Sequence, residues 1–66
     1  MKLDFATPAV KFRARAKLSQ REAAKRIGIT PVFLCEIEKG RKRPGWGTLL
    51  AMCEVYRTTP KAFLGG

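Results

Sequence analysis

Four helix boundary signals crowd the stretch from Ser19 to Gly40, leaving room for two short helices and a tight turn between them. Ser19-Gln20-Arg21-Glu22 is a capping box, in which the Ser19 hydroxyl accepts from the Glu22 amide and the Glu22 carboxylate reaches back to the Ser19 amide. Gly28 ends that helix as a residue able to take positive φ. Thr30-Pro31 then opens the next, with threonine as N-cap and proline where its missing N–H costs nothing. Gly40 closes it. Ala23, Ala24 and Ile27 share one face of the first helix, and Leu34 and Ile37 share one face of the second. Such a pattern predicts a helix-turn-helix.

The flanking sequence adds three more helices. Thr7-Pro8 and Thr59-Pro60 repeat the Thr-Pro start, so helices are expected from Pro8 to Lys17 and from Pro60 to Leu64. The third, from Trp46 to Tyr56, has Gly45 as its best available cap and an apolar stripe of Leu49, Leu50, Cys53 and Tyr56. Phe12, Leu18, Phe63 and Leu64 are expected to complete the core. The organisation predicted is a flexible arm at residues 1–6, one all-α domain at 7–64 and a tail at 65–66.

Sixty-six residues make one small domain, near the lower limit for a core that holds itself together. Fourteen Lys and Arg against five Asp and Glu give a formal charge of +9, which points to a polyanionic partner. The basic residues are spread along the chain rather than confined to one face of a long helix, and no apolar run is long enough to span a bilayer. A cytoplasmic protein without membrane contact is therefore expected. Cys35 and Cys53 are the only cysteines and there is no histidine, so no metal site or redox motif is expected and no cofactor. An enzyme is not expected either: acid/base pairs are lacking, no glycine-rich phosphate loop follows a strand, and Cys35 has no base beside it.

Leu18-Ser19-Gln20, Ala24, Gly28, Leu34 and Ile37-Glu38-Lys39-Gly40 followed by Pro44 stand at a spacing that resembles the phage-repressor family of helix-turn-helix proteins (Cro/repressor, or xenobiotic-response-element). The resemblance covers residues 10–64 and implies a compact five-helix, lambda-repressor-like DNA-binding domain. It implies that the helix opening at Pro31 lies in the major groove of double-stranded DNA, while the start of the preceding helix rests on a phosphate. Ser19, Gln20 and Arg21 would then be phosphate contacts, as would Arg41, Lys42 and Arg43 in the basic run after Gly40. Arg13 and Glu38 match a family pair that fixes the recognition helix to the scaffold.

Base-facing positions would be Pro31, Val32, Phe33, Cys35, Glu36 and Lys39. Many relatives carry Gln, Ser, Arg or Asn here; this chain carries mostly apolar surface and a carboxylate. Val32 and Pro31 suit thymine methyl groups, and Glu36 suits a cytosine amino group. The expected function is a sequence-specific regulator, a repressor, that binds a pseudo-palindrome as a weak homodimer through Trp46, Tyr56, Phe63 and Leu64. The alternative is an antitoxin or adaptor that grips a protein partner through the same fold. RNA binding is less favoured, for want of an exposed aromatic platform.

Overall fold

A computed structural model describes residues 4–64. Five helices follow in chain order: α1 Ala6–Arg15, α2 Gln20–Ile27, α3 Pro31–Glu38, α4 Trp46–Tyr56 and α5 Pro60–Phe63. α3 packs across α2 and α1, α4 lies against α2 and α1, and α5 closes the bundle over α1 and α4.

The expected boundary signals operate at α2, α3 and α5. Ser19 Oγ accepts from the Glu22 amide at 3.1 Å, and Glu22 Oε1 accepts from the Ser19 amide at 3.1 Å. Thr30 and Thr59 cap α3 and α5 through the Phe33 and Ala62 amides. Gly28 and Gly40 take positive φ, at 92° and 78°. After Gly40 the chain folds back on the helix end, so that the Arg41 amide donates to the Glu36 carbonyl at 2.9 Å.

Thr7 is not the cap of α1. The helix starts earlier, at Ala6, because the Asp4 carboxylate accepts from the amides of Ala6 and Thr7. Hydrogen bonding from the Thr7 side chain, then from the Thr7 and Ala6 amides, holds the Asp4 carboxyl below its usual range. Pro8 then sits inside the first turn, where helix amides lack intrahelical partners and its missing N–H costs nothing. Asp4, Phe5 and Ala6 therefore belong to the folded unit rather than to a flexible arm. The rest of the expected arm, 1–3, and the tail at 65–66 lie outside the described residues.

The core gathers Ala9, Ala23, Ala24, Leu34, Ile37, Leu49, Met52, Cys53, Tyr56 and Phe63, with Ile27 at its edge. Phe12 and Leu18 pack against it from one side and Phe5 from another, and the Phe12 and Phe63 rings meet edge-on at 5.1 Å. Two positions on the expected list fall outside. Leu50 is exposed and Met52 takes its place, because Leu49, Met52, Cys53 and Tyr56 form the inner stripe at helical spacing. Leu64 is also exposed, following α5 as its C-cap. Burial pushes the Cys53 thiol up, as suits a small core residue, and both cysteines are free.

Candidate nucleic-acid interface

α3 presents two faces. Leu34 and Ile37 are fully buried, which turns Pro31, Val32, Cys35, Glu36 and Lys39 towards or partly towards solvent. Val32 is the most exposed of the large apolar side chains, at 71%. Phe33 is half-buried and packs on the core, so it supports the helix more than it presents a reading surface. The turn from α2 to α3 is three residues, Gly28-Ile29-Thr30, with Ile29 packed inward.

The scaffold grips the far end of α3 through one carboxylate. Arg13 Nε donates to Glu38 Oε2 at 2.7 Å and Arg13 Nη2 donates to Oε1 at 3.1 Å, a two-pronged pair joining α1 to α3. Gln20 Nε2 donates to the same Oε1 at 2.8 Å, which ties in the first turn of α2. Arg13 Nη1 also donates to the Leu18 carbonyl at 2.9 Å. The Glu38 side chain is 4% exposed and that of Arg13 20%, so this pair is screened from water far more than a surface ion pair. Hydrogen bonding to Glu38 raises the Arg13 pKa further above an already basic value.

Gln20 thus ties the first turn of α2 to the end of α3 by way of Glu38. Its side chain is half-buried and engaged before any ligand arrives. Ser19 commits its hydroxyl and amide to the capping box at the positive end of α2. Arg21 is exposed at that end.

Arg41, Lys42 and Arg43 are all exposed just after α3, beside exposed Lys39. Arg41 lies 3.8 Å from the half-buried Glu36, a partly exposed pair that ordinary salt weakens. Glu36 is therefore partly engaged by its own loop. Arg15 is engaged within the fold: it donates to the Tyr56 carbonyl at 3.3 Å and covers the Phe12 ring at 4.8 Å from its centroid.

Two expected interface residues are not at the surface. Tyr56 and Phe63 are each 2% exposed, because a five-helix core this small needs both rings to close it. Trp46 at 65% and Leu64 at 48% remain exposed, as do Val10 and Leu50. Reading the sequence alone missed Asp4, Ala9 and Met52. A carboxylate two residues before Ala6 was the signal for the first, and the i, i+3, i+4, i+7 register of α4 was the signal for the last.

A helix-turn-helix domain model matches residues 11–63, most of the chain. The chain belongs to the helix-turn-helix domain family. Among solved structures, this helix-turn-helix chain is similar to the clp gene regulator ClgR from C. glutamicum, with TM-score 0.86 and 26% identity over 92% of this chain and 78% of that one. It is similar in fold to the P22 c2 repressor protein solved in complex with a synthetic operator, with TM-score 0.88 and 23% identity over 100% and 98% of the two chains. The P22 c2 repressor DNA-binding domain in solution also shares the fold, with TM-score 0.85 and 22% identity over 100% of this chain and 88% of that one. No curated protein matches the sequence. Among the described residues no helix is long and apolar enough to cross a membrane.

Proposed function

We propose that this chain is a DNA-binding transcriptional regulator whose α3 enters the major groove. One observation carries the reading: the helix-turn-helix fixes α3 with its outer face free, and four exposed cations, Lys39, Arg41, Lys42 and Arg43, stand at its end. Arg21 and the positive start of α2 supply a second phosphate contact on the other flank. The P22 c2 repressor, similar in fold, is solved on an operator, which favours the same mode here.

In this reading the protein represses by occupying a promoter as a homodimer. Two α3 helices would meet successive major grooves about 34 Å apart. Trp46 and Leu64 are the apolar residues of the expected interface that remain exposed. Val32 and Pro31 supply van der Waals contact to bases, and Lys39 supplies the one polar donor on that face.

Selection from a random duplex-DNA library at near-physiological salt tests the reading. An enriched inverted repeat is the expected result. Retention without enrichment would leave a basic surface that does not read sequence, and would move the assignment to the second reading. That second reading, an antitoxin or adaptor gripping a protein through α3, is favoured by one feature alone: the exposed apolar Val32 beside Pro31.

A further inference from the structure

A groove on another side of the domain concentrates positive charge that the DNA reading does not use. It is lined by Arg15, Leu18, Arg26, Val55 and Arg57 among others, encloses about 360 Å³, and continues past Ala51 and Glu54. The two stretches share Arg26, Val55 and Arg57. No lining residue belongs to α3 or to the basic run after it. Three arginines far apart in sequence are thus brought to one mostly polar channel, beside Leu18, Ala51 and Val55.

Helix ends account for part of this. α1, α2 and α4 all finish near the groove, and a cation at each C-terminus complements the helix dipole. Arg15 fills that role through its bond to the Tyr56 carbonyl. Arg26 sits in the last turn of α2 and Arg57 just after α4, yet among the described residues neither side chain makes a hydrogen bond or an ion pair. Arg26 acts on Glu22, one turn earlier, only through space. Arg57 also holds a left-handed backbone, φ 54°, which L side chains rarely adopt. Glu54 is the one carboxylate on the rim.

We propose that this groove docks a carboxylate-bearing, partly apolar segment of a different protein. Guanidinium groups along the groove match carboxylates, and Leu18, Ala51 and Val55 among them give a smaller apolar share for aliphatic side chains. A second copy of the chain is a poor occupant. Of its five acidic residues, Asp4 caps α1, Glu22 closes the capping box, Glu36 faces Arg41 and Glu38 holds Arg13. Only Glu54 is left, and it already lies on this groove. The site stands apart from α3, so it does not depend on the DNA reading.

The test uses a fluorescein-labelled, Glu-rich peptide of about ten residues carrying two leucines, read by anisotropy in moderate salt. Two variants remove the same charge: Arg26→Gln with Arg57→Gln in the groove, and Arg41→Gln with Arg43→Gln in the loop. The groove variant is expected to weaken binding about tenfold, the loop variant less than about twofold, and a Gln-for-Glu peptide to lose binding. Amide shifts at Arg26, Val55 and Arg57 in the unsubstituted protein give the same answer without a variant. Equal losses in both variants, no binding, or shifts confined to α3 would overturn the proposal. Displacement of the peptide by saturating duplex DNA would also overturn it, by making the groove a phosphate surface.

Discussion

At the residue scale, the sequence shows pairs by pattern but not how each atom is spent. Arg13 and Glu38 were legible through family spacing, and the ion pair is there. Gln20 reads in sequence as a phosphate contact, and its bond to Glu38 was not legible, since a first-turn glutamine has many rotamers and only packing selects one. Glu38→Ala is expected to strand a largely desolvated Arg13 and cost about 2–3 kcal/mol, weakening DNA affinity as well. Unchanged melting together with unchanged affinity would refute the bracing role. Tyr56 reads in sequence both as part of the α4 apolar stripe and as an interface residue, and the core takes it. Its hydroxyl is buried without a hydrogen-bond partner. Burial, reinforced by the Glu38 charge and opposed by Arg13, pushes its pKa up to about 12. Above the ordinary pKa of about 10 the unfolded chain ionises first and binds fewer protons, so stability falls as pH rises from there towards 12. Tyr56→Phe is expected to hold or slightly raise stability at neutral pH and to remove that part of the alkaline loss, as urea unfolding at both pH values would show.

At the element scale, helix starts and stops were largely readable because capping is local chemistry. α2 and α4 begin and end as expected, and α3 ends one residue short. α1 was displaced because two start signals compete, Asp4 and Thr7, and the upstream carboxylate engages two amides. Asp4→Ala is expected to fray the first turn, with faster exchange at the Thr7 amide and less helical dichroism; an unaltered first turn would leave Thr7-Pro8 as the true start. Ends without glycine were not foreseen. α1 and α4 close through Lys17 and Arg57 at φ 59° and 54°, with the Leu18 amide bonding Arg13 and the Thr58 amide bonding Cys53. Lys17 is exposed, so Lys17→Gly relieves the left-handed strain with little else lost. A gain of about 0.5–1 kcal/mol is expected, less whatever entropy glycine restores to the unfolded chain. A lower urea midpoint would show that Lys17 makes a contact that outweighs the strain.

At the scale of the whole molecule, the balance between charge and core governs behaviour. The surplus of nine positive charges sits on a domain with few buried carboxylates, so affinity for a polyanion is carried by counterion release. Composition points to that partner class; it leaves open which cations would face it, because that depends on how five helices fold together. Arg15 is occupied by Phe12 and the Tyr56 carbonyl, whereas Lys39, Arg41, Lys42 and Arg43 point outward from the end of α3. Each phosphate contact contributes a slope of about 0.9 in log affinity against log salt. Replacing Arg41, Lys42 and Arg43 with Gln is therefore expected to flatten that slope by about 2–3 and to weaken binding similarly on operator and random duplex. Val32→Ala should instead weaken operator binding alone and leave the slope in place, because a methyl contact releases no counterions. If the loop variant kept the full slope, the phosphates would be met elsewhere, and the groove of Arg26 and Arg57 would be the first place to measure.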